Sequence, residues 1–215
     1  REVFPPSAAS FIMCLYLSDA PPRPATFRAD LWFREYFSHS LPHAVHRVVV
    51  ATDHANVLHT VEAHGFTAML TRQDHPSGTD RIAEVVSKLG LGSGEIVVNV
   101  QGDEPLIEPN LISAVAAQLV AHDDAAIATA CCPLIDGAQM ANANVVKVVT
   151  DKHGYALYFS RAPIPWNRDA APAGLQDQQD YHGSRRHIGI YAYRLDALRR
   201  LAASPPSALE RRERL

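Results

Sequence analysis

Read for its apolar positions, the chain alternates between two periods. Short β-branched or apolar runs at Val48–Thr52, Phe66–Leu70, Ile96–Val100 and Ile127–Cys132 are separated by stretches whose apolar residues recur three and four apart. That alternation predicts an α/β fold of βαβ units with right-handed crossovers. Helix signals stand where the pattern needs them. Asp53 precedes Val57, Leu58 and Val61 as an expected N-cap, and Gly65 ends that helix. Ser77 with Asp80 has the form of a capping box ahead of Ile82, Val85, Val86 and Leu89, and Gly90, Gly92 and Gly94 close the helix. Pro109 opens a third helix with Leu111, Ile112, Val115 and Leu119 inward and Ala117 allowing close packing. Val145–Thr150 and Tyr155–Ser160 read as a β-hairpin whose Gly154 supplies a positive-φ position, and Lys147 falls on its solvated face. Arg186–Arg194 is the last strand, followed by helix at Leu195–Ala203, a break at Ser204–Ser207 and a further helical start at Ala208–Leu215.

Composition narrows the partners. A net charge of -3 and a pI near 6.4 over 215 residues leave no electrostatic footprint for nucleic acid or an anionic membrane. Cys14, Cys131 and Cys132 make no disulfide framework; buried free thiols in a reducing cytoplasm are expected. His54, His59 and His64 recur every fifth residue, about 140° apart on a helix, which scatters them off one face, so no structural zinc is expected. Phe11–Leu17 is apolar but too short to span a bilayer, and no membrane insertion is expected.

Chemistry concentrates after the most apolar run. Ile96–Val100 suits a strand buried on both faces of a parallel sheet, and ligands of open α/β sheets sit beyond the strands' carboxyl ends. There Gln101-Gly102-Asp103-Glu104-Pro105 combines a close backbone approach at Gly102 with two hard oxygen donors. Taken alone, the pattern reads equally as a metal-bearing loop and as an ordinary solvated turn. Arg161 follows a strand end beside Pro163 and Pro165, where a guanidinium can hold a carboxylate in a two-bond fork. His187, a lone histidine on a strand, suits a structural hydrogen bond as well as a ligand contact.

The words around these residues separate the readings. VNVQGDEPLI, TRQDHPSGTDR, the run from Asn142-Ala143-Asn144 through VVKVV to YALYFSRAPIPW, and RHIGIYAYR each resemble a motif of the 3-deoxy-D-manno-octulosonate (Kdo) cytidylyltransferases, or CMP-Kdo synthetases. The resemblance covers residues 45–215. It implies a nucleotide-diphospho-sugar-transferase-like (Rossmann-like), mostly parallel sheet flanked by helices with a β-hairpin extension, and transfer of CMP from CTP to Kdo with release of pyrophosphate, a lipopolysaccharide-precursor activation. Carried over, Asp103 is the catalytic Mg²⁺ ligand with Glu104 as an outer aid. Gln101, Arg161, Arg168 and His187 contact the sugar acid, and Arg72, Ser77, Gly78 and Thr79 form the nucleotide-base loop. Mg²⁺ as cofactor, a homodimer and a cytoplasmic setting come with the family.

Departures matter too. The family opens with a strand and a loop of the form P-A-R-x-x-S-x-R-L-P-x-K that cradles the triphosphate, and residues 1–44 carry no match to it. The abrupt change near His46 is what an out-of-frame translation of the preceding segment would produce. The chain also carries no counterpart of the family's later acidic pair or of a second metal-holding aspartate, so low or absent turnover is expected, and the domain reading is an atypical segment over 1–44 followed by a cytidylyltransferase-like domain, shortened at its C-terminus, over 45–215. Alternatives are a cytidylyltransferase for a related sugar acid and a non-catalytic sugar-acid binder.

Overall fold

Five strands order the first of two units into which the chain divides, residues 1–128 with 189–204 and residues 129–188 with 205–215. The computed structural model describes residues 11–16, 45–101, 107–169, 174 and 180–215. In the first unit the strand order is β3 (Ala68–Leu70), β2 (Val45–Thr52), β1 (Phe11–Tyr16), β4 (Ile96–Gln101) and β8 (Arg185–Arg194). The first four run parallel; β8 is antiparallel to β4, with Ile96 opposite Arg194 and Val100 opposite Ile190. The segment without a family motif thus supplies a strand between β2 and β4. As its apolar run predicts, β4 is buried from Ile96 through Val100, the polar Asn99 included, and becomes half-buried at Gln101.

Helices follow β2, β3 and β4. Helix α1 (Ala55–Ala63) ends on Gly65, whose φ of 82° is the left-handed conformation glycine tolerates. Its N-cap is His54, with no side-chain cap, and not Asp53 as the sequence suggests. Asp53 instead meets the guanidinium of Arg81 at 2.8 Å, an ion pair from 28 residues away that no local pattern announces. Helix α2 (Gly78–Leu89) starts at Ser77, whose hydroxyl accepts the Asp80 N–H at 3.2 Å. The reciprocal half of the capping box is replaced: the Asp80 carboxylate accepts the Ser77 hydroxyl. Ile82, Val85 and Val86 of α2 pack with Val49, Ala51, Val97, Tyr193, Leu195 and Leu198 into one cluster. Side chains of that size contribute roughly 1.5–3 kcal/mol each when fully buried.

Helix α3 (Pro109–Ala121) buries Ile112, Val115, Ala116 and Leu119, so the small inward residue is Ala116 and the expected Ala117 faces out. Arg194 holds the C-terminal end of α3 by donating to the carbonyls of Leu119 and His122. Helix α5 (Leu195–Ala203) adds Leu195 and Leu198 to the cluster.

The second unit contains β5 (Ile127–Pro133) from Thr129 onward, α4 (Gly137–Ala141), the hairpin of β6 (Lys147–Thr150) and β7 (Ala156–Ser160), the first residues of β8, and α6 (Ala208–Glu213). The hairpin is antiparallel, with Val148 opposite Phe159. Its turn is built by Asp151, whose Oδ1 accepts the N–H groups of His153 and Tyr155 at 2.8 and 2.9 Å, and by Gly154 at φ 89°. Lys147 is fully buried, contrary to the solvated face its alternation suggests. Cys131 and Cys132 are free and half-buried on β5, less enclosed than expected. Among the described residues no helix is long and apolar enough to cross a membrane.

Candidate functional site

The first unit carries the predicted nucleotide loop. Between β3 and α2 the chain runs from Thr71 to Ser77, and α2 begins with Gly78 and Thr79. Backbone N–H groups at a helix start point outward without intrahelical partners, which suits polar recognition. Gly78 has no atom within 4 Å of where a Cβ would stand and no positive φ, so the fold itself would accept a side chain there. The Thr79 hydroxyl lies 3.4 Å from that of the buried Tyr193, and Thr79 as a whole is half-buried.

Three charged residues shape this loop: Arg81, the last residue of the motif but given no role by it, and Glu84 and Lys88, which lie beyond it. Arg81, 3 % exposed, donates to Thr71 Oγ1, to the Arg72 carbonyl at 2.9 Å and to Asp53. Glu84 accepts the Arg72 backbone N–H at 3.1 Å and pairs with His75 Nε2. Lys88 meets Glu84 at 2.6 Å and the Leu70 carbonyl at 2.9 Å. Burial opposes ionisation of Glu84, but hydrogen bonds from Lys88, His75 and Arg72 outweigh it and hold the carboxyl at about 2. The Arg72 guanidinium remains exposed, 3.4 Å from Asp74.

Gln101 ends β4, in the same unit. Its Oε1 lies 2.8 Å from where a Cβ on Gly189 would stand, so the glycine of RHIGIY makes room for the Gln101 side chain. Gly102, Asp103, Glu104 and Pro105 lie outside the described residues, and the metal assignment to Asp103 falls there. Among the described residues no group of three or more His, Cys, Asp or Glu gathers to hold a metal. The described part of β4 ends at Gln101, two positions before Asp103 in the sequence.

The second unit carries the predicted sugar-acid residues other than Gln101. His187 Nε2 lies 2.8 Å from Thr129 Oγ1, with Phe159 edge-on at 5.0 Å. Burial lowers its pKa to about 4, so near neutral pH His187 is an uncharged hydrogen-bonding group. Arg168 is exposed in a turn. Arg161 is heavily engaged: its Nη1 donates to the Ala143 carbonyl at 2.8 Å, its Nη2 to the Arg214 carbonyl at 2.9 Å, and its Nε to the Glu213 carbonyl. Three of five guanidinium donors are therefore directed at main chain.

Around Arg161 the structure adds two groups that alternation could not reveal. The Glu213 carboxylate accepts the Arg161 N–H at 2.6 Å, the Ser160 hydroxyl at 2.9 Å and the Tyr158 hydroxyl at 2.8 Å. These hydrogen bonds, first that of the Arg161 N–H, hold the Glu213 carboxyl below the usual carboxylate range. Lys147 donates to the carbonyls of Arg161, Val145 and Asn142 at 2.6, 2.7 and 3.0 Å. Burial, then repulsion from Arg161, lowers the Lys147 pKa. The peptide groups of Arg161 are thus pinned from both sides, N–H by an anion and carbonyl by a cation.

Comparison with known proteins places these geometries. Residues 37–215 match the cytidylyltransferase family model. Among solved structures, a CMP:2-keto-3-deoxy-manno-octonic acid synthetase complexed with CTP superposes with a TM-score of 0.80 at 32 % identity, covering 96 % of this chain and 83 % of that one. Two others share the fold alone. A 4-diphosphocytidyl-2C-methyl-D-erythritol synthase from Anaerococcus prevotii DSM 20548 has a TM-score of 0.55 at 12 % identity, covering 94 % of this chain and 78 % of that one. A mannose-6-phosphate isomerase from Helicobacter pylori has a TM-score of 0.58 at 12 % identity, covering 87 % of this chain and 72 % of that one.

Proposed function

The chain belongs to the cytidylyltransferase family, and from that premise we propose that it is built to transfer CMP from CTP to Kdo, releasing pyrophosphate. The observation that carries the choice of Kdo is the 32 % identity, over 96 % of the chain, to a synthetase of CMP-2-keto-3-deoxy-manno-octonic acid. In this reading the start of α2 receives the cytosine base: Gly78 leaves room for close approach, and the outward N–H groups near Ser77 and Thr79 offer donors. The exposed Arg72 guanidinium meets negative charge on the nucleotide. Gln101, seated against Gly189, and the uncharged His187 supply hydrogen bonds to the sugar acid's hydroxyls; Arg168 and Arg161 supply cations for its carboxylate.

Asp103 is the residue proposed to hold Mg²⁺, which when bound neutralises the charge of the triphosphate. The chain's own residues contribute by binding base and acid rather than by covalent help, the anomeric hydroxyl of the acid attacking the α-phosphorus in line. Residues 1–44 lack the family's triphosphate cradle, and turnover is proposed to be low for that reason; each lost donor to a developing negative charge costs roughly 2.7–4 kcal/mol.

A homodimer in the cytoplasm remains part of the proposal. The dimer, though not the compartment, is supported by β7, the last strand in its sheet order, on which Leu157 is 68 % exposed beside the exposed Tyr158. Sedimentation velocity giving a monomer at all concentrations would remove the dimer.

Pyrophosphate release with CTP, Kdo and Mg²⁺, compared between the chain and Asp103→Asn, tests the function. Slow release that needs Kdo and disappears in the variant supports the reading. Faster release with another sugar acid identifies a different acceptor. Kdo binding in a calorimeter with no CTP binding and no release indicates a non-catalytic binder and overturns the transferase proposal.

A further inference from the structure

Glu84 lies on α2 six residues after Gly78, too far along the helix to belong to its start, yet its carboxylate is directed back at the loop that precedes the helix. Its Oε2 accepts the Arg72 backbone N–H at 3.1 Å and pairs with His75 Nε2. Its Oε1 is taken by Lys88 at 2.6 Å, and Lys88 also donates to the Leu70 carbonyl at 2.9 Å. One carboxylate therefore gathers the last residue of β3, through Lys88, and two residues of the loop. The His75 side chain is 5 % exposed and that of Glu84 17 %, so the His75–Glu84 contact is sheltered from the water that weakens surface pairs, whereas Lys88 stands half in solvent.

The chemistry of the pair sets the histidine's tautomer. An ionised carboxylate only accepts, so His75 presents a protonated Nε2 to Glu84 and, when neutral, keeps Nδ1 as an acceptor. His75 Nδ1 is buried and has no hydrogen-bond partner among the described residues. The ring is thus held from one side alone, and what holds it is Glu84. Release that grip and His75 loses its hydrogen-bonded support, while Arg72 is left held only on its carbonyl side, by Arg81.

We propose that Glu84 is a positioning residue for nucleotide recognition: it sets the conformation of the Arg72–Ser77 loop, and hence the affinity for CTP, without touching the ligand. The inference rests on the proposal that the start of α2 receives the nucleotide. It goes beyond that proposal in assigning to a carboxylate one and a half turns further on the share of the loop's geometry that Arg81, bound to the Arg72 carbonyl at 2.9 Å, does not set.

Calorimetric titration of the full chain with CTP and, separately, with Kdo tests it. Glu84→Ala is expected to weaken CTP binding about tenfold while Kdo binding stays within about twofold, a loss of the size produced when a supporting contact behind a site is removed. Glu84→Gln, which keeps one carbonyl oxygen for the Arg72 N–H and His75, should recover most of the affinity, a rescue that a general loss of stability would not give. If Glu84→Ala is too unstable to titrate, His75→Asn removes one attachment and must weaken CTP but not Kdo. CTP affinity within about twofold of the parent in Glu84→Ala, or an equal loss for both ligands, overturns the inference. Gly78→Val separates this failure from failure of the underlying reading, because the fold has space for that side chain. If the valine abolishes CTP binding and Glu84→Ala does not, Glu84 alone was misassigned; if the valine leaves CTP binding intact, or the parent binds no CTP, the α2 start is not the nucleotide site and both proposals fall.

Discussion

Two glutamates, one in each unit, do the same local work with different results. Glu84 accepts the backbone N–H of Arg72 and Glu213 accepts that of Arg161, each adding side-chain donors from the same neighbourhood. Beside Glu84 the arginine's side chain stays on the surface, a cation with Asp74 at 3.4 Å and Glu84 itself at 3.9 Å. Beside Glu213 the guanidinium is spent on three main-chain carbonyls. An identical residue type following an identical anchor is therefore a candidate ligand in the first unit and largely a fastener in the second. The family motif names both arginines, but the partners decide how much of each is left for a substrate.

The largest effect expected from breaking this contrast is at Lys147, which holds the carbonyl side of Arg161. Lys147→Met leaves three carbonyls without their buried donor and should cost about 3 kcal/mol, read as a shift in the urea midpoint. A loss below 1 kcal/mol, itself roughly the value of an exposed pair, would mean that water replaces the ammonium freely.

Acid should act nearly as strongly through His187. Its folded pKa of about 4 lies below the ordinary 6.5, so between those values the unfolded chain binds a proton that the folded chain refuses. The stability this histidine contributes is full above pH 6.5 and is lost as pH falls toward about 4, up to roughly 3 kcal/mol. Denaturant melts of the parent and His187→Gln between those pH values should converge as the pH falls; parallel curves would contradict the burial.

Arg161→Lys sharpens the contrast directly, since a lysine cannot span three carbonyls in a fork. The fastening role predicts a loss of about 2 kcal/mol in stability. A ligand role alone predicts weaker Kdo binding with an unchanged melting temperature.

Smallest in stability is Gly189→Ala. The new Cβ would stand 2.8 Å from Gln101 Oε1, and because that atom is the end of a flexible side chain, the fold should lose less than about 1 kcal/mol. Gln101 must move, however, and Kdo affinity should fall while CTP affinity does not. Unchanged Kdo affinity would remove Gln101 from the site.

What could be read in the sequence follows the reach of each interaction. Ser77 as a helix cap, the burial of β4 and the Gly154 turn are decided within a few residues, and each stands as the pattern predicts. Asp53 was legible as an acid next to a helix but not as the partner of Arg81, 28 residues on. Lys147 alternates with valines as a solvated residue would; only the carbonyls of Asn142 and Arg161, brought in by loops, turn that position into a buried one. Glu213 lies 52 residues from the N–H that it caps. The candidate residues were thus readable as words, and the contacts that set their availability were not, because those contacts are made across the fold.

The adjacent thiols of β5 have a practical outcome. Successive side chains on a strand point to opposite faces, so Cys131 and Cys132 are poorly placed to oxidise to one another and present chemically distinct surroundings. Arg185 approaches the first at 4.0 Å, giving that face a cation which the other need not share. Alkylating reagents of opposite charge should therefore label the two neighbours at different rates, offering a way to report on each side of the strand without introducing a foreign residue.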